Sequence, residues 1–333
     1  MYLEFYGLRE LPFELTPNPR FLFLTPQHRE ALSNLQYGLT SSKALTVLTG
    51  EAGTGKTSVL AACLHADACQ HVRPVLLNNP TLTREEFVQS LASKFGFPPD
   101  AGRSKATLLD MLEQALIDSR SEGYITALIV DEAHCLSDEL FEEVRLLANI
   151  ETADEKLLPI VLVGQPELSQ RLNQPNLRQL KQRVSLRCNI VPLSVTESAA
   201  FIAWRIRTAG GDPSRLFSRD AVIRIHELSH GIPRLINLLC DNSLVNGMAL
   251  QRRPINRDLI DEVSRDFDLE ATPIAVPDTP PSPGPAGPAE LAATYASESS
   301  SAPPVIPQAP VAAPATAAEP LRDVPPRRQP GPR

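Results

Sequence analysis

The chain has 333 residues and a net charge of −7, which argues against a broad nucleic-acid face, because duplex binding draws on a basic surface. Hydrophobic residues make up 42%, a share that suits a globular body. The five cysteines (Cys63, Cys69, Cys135, Cys188 and Cys240) form no CxxC pair, so neither a zinc site nor a disulfide framework is indicated and reduced thiols of a cytosolic protein are expected.

The first residues, MYLEFYGLR, mix charged and apolar types, so no signal peptide is expected. No apolar run approaches the roughly 18 residues of a membrane span, so no integral membrane segment is expected. Runs at 44–49 (ALTVLT), 74–77 (PVLL), 126–130 (TALIV) and 159–163 (PIVLV) read as buried strands, with 185–191 as a fifth. Near-continuous apolar strands separated by helical patterns predict a parallel sheet covered on both faces. After the third strand, Ser137 predicts a helix N-cap, with Asp138 and Glu139 well placed in the first turn. Leu140, Phe141, Val144, Leu147 and Ala148 then recur on one helical face. Past Pro192 the strand signal stops, and 194–208, 218–228, 233–250 and 256–267 read as helices. Of the 32 prolines, 17 lie after residue 270, which predicts a disordered spacer or docking tail. The expected division is an α/β domain at 1–192, a helical lid at 193–268 and a Pro/Ala-rich disordered tail at 269–333.

Two motifs carry chemistry. The stretch Gly50, Glu51, Ala52, Gly53, Thr54, Gly55, Lys56, Thr57, followed by Ser58, fits GxxxxGK[ST] between a strand and a helix, the context that a phosphate loop requires. Its glycines let backbone N–H groups curl toward phosphate oxygens, and the helix N-terminus adds a favourable dipole. Lys56 is expected on the β- and γ-phosphates of ATP, and the Thr57 hydroxyl on Mg²⁺. The strand 126–130 ends in Asp131 and Glu132. Asp131 is expected to hold Mg²⁺ through water, and Glu132 to accept the proton of the attacking water. The tetrad Asp131, Glu132, Ala133, His134 spells DEAH, also found in helicases, but no second α/β domain follows.

Several further stretches resemble the general secretion pathway protein A (ExeA-like) group of bacterial AAA+ ATPases, over roughly residues 1–268. They are 5–13 (FYGLRELPF), 17–23 (PNPRFLF), Gln27 and His28, 37–39 (YGL), 144–152 (VRLLANIET), 164–168 (GQPEL) and 180–184 (LKQRV). Residues 1–40 form the family's N-terminal signature; on physical grounds alone they read as a loop that could cover the adenine. The resemblance implies the AAA+ form of the P-loop NTPase fold, a parallel sheet flanked by helices and followed by a small all-α lid. It also implies ATP hydrolysis in the service of a secretion, pilus or polysaccharide-export machine.

The same resemblance places three further groups. Gln165, at the end of the fourth strand, stands where AAA+ proteins carry a γ-phosphate sensor. Arg183, with Arg178 as second choice, lies where an arginine can reach a neighbouring subunit's nucleotide, which implies a homo-oligomer. Arg234, at a lid-helix start, would touch the γ-phosphate and couple the two domains. A cytoplasmic protein, peripheral to the inner membrane through a partner, is the expected location. Two rivals stand beside this reading. One is a DNA-associated, transposition-type ATPase using Arg205, Arg207, Arg252, Arg253 and Arg257. The other is a nucleotide switch that does not hydrolyse.

Overall fold

The computed structural model describes residues 2–269, except residues 17, 79, 80 and 154. The tail lies, from residue 270 on, outside the described residues.

Five strands, β1 (Leu45–Gly50), β2 (Val72–Leu77), β3 (Ile125–Val130), β4 (Ile160–Gly164) and β5 (Val184–Ile190), form one parallel sheet in the order β2-β3-β4-β1-β5. Each overlaps one of the five apolar runs. All residues of β1 and β4 are buried, which explains why these strands read as unbroken apolar runs rather than as alternating ones. Their side chains still alternate in destination. Val47, Leu128 and Leu162 face a core built with Phe87 and Leu91 of α4 (Arg84–Lys94), Leu112 of α5 (Lys105–Ser121) and Phe141 of α6 (Asp138–Leu147). Leu48, Ile129 and Val163 face the opposite core, built with Leu35 and Leu39 of α2 (Pro26–Thr40) and Val59 of α3 (Lys56–Leu64). Ser137 caps α6 as the sequence suggests, its hydroxyl accepting from the Leu140 N–H.

A third core holds the lid. Helices α9 (Val195–Thr208), α11 (Arg219–Ser229), α12 (Pro233–Ala249) and α13 (Arg257–Asp266) bury Phe201, Ile225, Ile236, Leu239, Leu259 and Ile260 together. The four helices match the four read from sequence, and a short α10 (Pro213–Leu216) is added between the first two.

The N-terminal stretch departs from its reading as a loop. It holds α1 (Tyr2–Tyr6) and the long α2, and its aromatic residues are structural. Tyr2, Tyr6, Leu8, Phe13 and Phe21 lie inside the lid core. Phe13 meets Phe217, and Phe23 meets Phe201, edge to face. Buried Arg205 clamps the segment: its guanidinium donates to the carbonyl oxygens of Pro12 and Glu14 and lies over the ring of Phe21. Loss of hydration in that setting pushes its pKa down to about 10. Aromatic residues in a five-residue helix and the irregular stretch after it show too little period to signal such a strap. Helix α2 opens on a capping box, in which the Thr25 hydroxyl accepts from the His28 N–H and the His28 ring answers at the Thr25 N–H.

Candidate nucleotide site at the carboxyl edge of the sheet

In an open parallel sheet, ligands bind in the crevice beyond the carboxyl ends of the strands. Here β1, β3 and β4 deliver Gly50, Asp131 and Gln165 to that edge. The loop after β1 turns through Gly53 (φ +84°) and Gly55 (φ +100°), both in the left-handed region that a side chain disfavours. Gly55 then takes the N-cap position of α3, so the helix begins at Lys56. Thr57 is exposed and Ser58 half-exposed on its first turn, beside the loop residues Glu51, Ala52 and Thr54. The Thr54 hydroxyl donates to the Glu51 carbonyl at 2.8 Å and ties the loop across itself.

Lys56 is 7% exposed. Its ammonium donates to the carbonyl oxygens of Gly50 and Glu51 at 2.8 and 2.9 Å and makes no ion pair with a described residue. Burial lowers its pKa, while the fields of Glu132 and Asp131 oppose that shift. A buried cation bonded to neutral carbonyls, beneath N–H groups that open a helix, is a setting suited to an anion.

Asp131 follows β3, with its N–H donated to the Leu77 carbonyl and its own Oδ1 accepting from the Glu132 N–H at 2.9 Å. Glu132 is exposed and left-handed (φ 51°, ψ 35°), a conformation costly for a residue with a side chain and concentrated at functional sites. Its Oε2 lies 3.3 Å from His134 Nδ1. Gln165 occupies the N-cap position of α7 (Pro166–Leu172), yet its side chain makes no capping bond; it lies 3.2 Å from His134 Nε2 instead.

The lid closes on the same loop. The Arg234 N–H donates to the Gly53 carbonyl at 3.3 Å. A Cβ built on Gly53 would lie 2.8 Å from the Arg234 Cβ and 3.0 Å from Ile232. The Arg234 side chain is exposed and makes no ion pair with a described residue. A cavity of about 540 Å³ lies nearby, lined by Gln27, Leu193, Glu197, His226 and Glu227 among others. Leu193 is tied to Gly231, and Gln27 adjoins His28.

His28 is a contributor to which sequence reasoning gave no role. Its Nε2 sits 3.1 Å from the Thr54 carbonyl, which can only accept, so Nε2 carries the proton. Nδ1 then accepts from the Thr25 hydroxyl at 2.7 Å. Burial lowers the pKa of this ring, against the opposing effects of the Thr54 contact and Glu197.

Arg183 and Arg178 are not part of this cluster. Arg178 opens α8 (Arg178–Lys181), and Arg183 immediately precedes β5. Val184 pairs with Leu45, and Ile190 with Gly50. The six-residue rise between them puts Arg183 about 20 Å from its own phosphate loop, at the amino edge of the sheet.

Comparison with known proteins agrees with this geometry. Residues 39–172 match the AAA domain family. Over 249 residues the chain is 40% identical to general secretion pathway protein A of Aeromonas hydrophila; the match takes in 75% of this chain and 45% of that protein, so the chain spans less than half of its relative's length. Among solved structures, Cdc6p of Pyrobaculum aerophilum superposes with a TM-score of 0.60 at 18% identity, over 77% of this chain and 70% of that one. The ORC2 protein of Aeropyrum pernix, in its ADPNP–ADP complexes, gives 0.57 at 17%, over 78% and 72%. At these identities the structural likeness speaks for the fold alone. The chain therefore has the P-loop NTPase fold, with an AAA-domain match over residues 39–172, and is similar to general secretion pathway protein A.

Proposed function

We propose that the chain is a Mg²⁺-dependent ATPase whose nucleotide cycle supports the assembly of a secretion, pilus or polysaccharide-export machine. One observation carries the ATPase half: the buried ammonium of Lys56, bonded only to main-chain carbonyls among the described residues, lies in a left-handed glycine loop whose neighbours at the sheet edge are Asp131 and Glu132. The donor set fits the ligands. Residues 50–58 would cradle the phosphates through their N–H groups, with Lys56 on the β- and γ-oxygens. Thr57 and Asp131 supply two oxygens toward Mg²⁺, an ion that keeps most of its shell for water and phosphate. Mg²⁺, when bound, would neutralise charge on the transferring phosphoryl oxygens. Gln27, Leu193 and His226 would border the base.

Within that arrangement Glu132, exposed and held in a strained backbone, is the proton acceptor for the attacking water. Arg234 reaches the phosphate loop from the lid and couples lid position to the phosphates. Arg183 acts on a second copy of the chain, because its own loop lies at the opposite edge of the sheet.

The relative's name supports the machine half; among the described residues no helix is long and apolar enough to cross a membrane. The protein would then be cytoplasmic and reach the inner membrane through a partner. The DNA-associated reading weakens on one residue: Arg205, one of the five arginines it draws on, is buried in the strap.

Glu132→Gln tests the reading. The variant should bind Mg·ATP with the parent's affinity while turnover falls by roughly 10²-fold or more. Turnover at the parent rate would remove Glu132 from the chemistry.

A further inference from the structure

The reading above leaves His134, the last residue of the DEAH tetrad, without a task. We propose that His134 is a positioning residue that ties the Glu132 carboxylate to the Gln165 side chain, so that the proton acceptor and the strand-end sensor move as one unit. The proposal rests on the ATPase reading of Glu132.

Both ring nitrogens are engaged, each on a different strand's exit. Nδ1 lies 3.3 Å from Glu132 Oε2, just past β3. Nε2 lies 3.2 Å from Gln165 Nε2, just past β4, and the Gln165 N–H points at Nδ1 from 3.5 Å. Gln165 spends its side chain on this ring although it stands at a helix N-cap position, where a backbone N–H is on offer.

The turn that carries the ring is also held from outside. Arg171 of α7 donates to the His134 carbonyl at 2.9 Å, to the Leu136 carbonyl, and to Asp138 at 2.6 Å, while its guanidinium lies 4.7 Å from the centre of the Phe141 ring. The turn after β3 and the helix after β4 are thus locked together, and His134 sits at the joint.

The two contacts are coupled through the imidazole. If Nδ1–H donates to Glu132, Nε2 must accept from the Gln165 amide N–H. If Nδ1 accepts from the Gln165 main-chain N–H, Nε2–H must donate, and the amide has to turn its oxygen inward. The first arrangement holds the carboxylate and the second frees it. The orientation of the Gln165 amide therefore selects the state of Glu132 with no change in ring charge.

A double-mutant cycle on full-length protein tests the link. The variants are His134→Ala, Gln165→Ala and the double, with kcat measured at saturating Mg·ATP and Kd measured in parallel. Each single variant should lower kcat about tenfold with Kd changed less than about twofold, and the double should lose no more than the worse single, as coupled residues do. His134→Asn, which keeps a polar atom near Nδ1 but cannot reach Gln165, should match Gln165→Ala. Losses that multiply in the double variant, or an unchanged kcat in His134→Ala, would overturn the link. Melting temperatures identify a variant that fails to fold; His134→Asn against Gln165→Ala then decides the question, and unequal kcat values overturn the link. Glu132→Gln, run alongside, separates the two claims. Parental turnover there overturns the base assignment together with the link, whereas lost turnover with a multiplicative cycle overturns the link alone.

Discussion

The two ends of the sheet are built differently. The carboxyl end gathers a glycine loop, a buried lysine, two carboxylates, a glutamine and a lid arginine around one crevice. The amino end presents Arg183 beside Glu151, whose carboxyl is held below its usual range chiefly by Lys156 and to a lesser degree by Arg183. One end can hold phosphates, and the other carries a cation that its own phosphates cannot meet. On the proposed reading, such a chain would complete its site when the amino end of one copy faces the carboxyl end of another.

The comparison breaks most visibly at Arg183. In Arg183→Ala, hydrolysis should fall on the order of 10³-fold while ATP binding stays, because a trans cation acts on the transition state. Mixing this variant with Lys56→Ala protein should restore part of the activity. Specific activity that is independent of protein concentration, with no rescue on mixing, would make the amino end an ordinary basic face.

At the carboxyl end, Gly53→Ala should raise the Kd for Mg·ATP about tenfold. The loop needs φ +84° there, and the added Cβ would press on Arg234. Titration calorimetry reads the change, and an unchanged Kd would mean that the loop and lid do not meet as described.

The strap gives a smaller effect, on stability rather than on chemistry. Arg205→Met leaves the Pro12 and Glu14 carbonyls without their donor, at a cost of about 2 kcal/mol. In a body of this size that lowers Tm by about 4–8 °C. An unchanged Tm in scanning calorimetry would show that the strap is held by its aromatic residues alone.

The smallest effect is a pH dependence at His28. Its folded pKa is lowered by burial, so below the ordinary histidine range the unfolded chain binds a proton that the folded one resists. Stability should therefore decline as pH drops through about 6.5 toward the lower folded value, and be unaffected by this group above it. His28→Gln should flatten that slope in melting curves recorded between pH 7.5 and 5; an identical slope would place the titration elsewhere.

The legibility of the molecule follows the same division. Strands whose residues are all buried, such as β1 and β4, announce themselves as apolar runs, and the phosphate loop is legible because its geometry demands glycine at fixed positions. Gln165 could be located by its place at a strand end, but its contact with His134 depends on how the turns after β3 and β4 are brought together, which no local pattern encodes. His28 was visible only as a position shared with the resembling family; that its far nitrogen meets Thr54 depends on how α2 lies against α3. The strap went unread for a related reason. Tyr2 and Tyr6 share a face of a helix only five residues long, too short for a period to show, and their burial, like that of Phe13, is decided by helices some 200 residues later, which only the folded chain brings to them.

The claim on which the rest stands is that the carboxyl edge binds Mg·ATP through Lys56. Calorimetric titration of Mg·ATP into the parent chain and into Lys56→Ala tests it most directly. Saturable binding to the parent, lost or greatly weakened in the variant, is the predicted result. Equal affinity in the two proteins, or no binding to the parent, would contradict it.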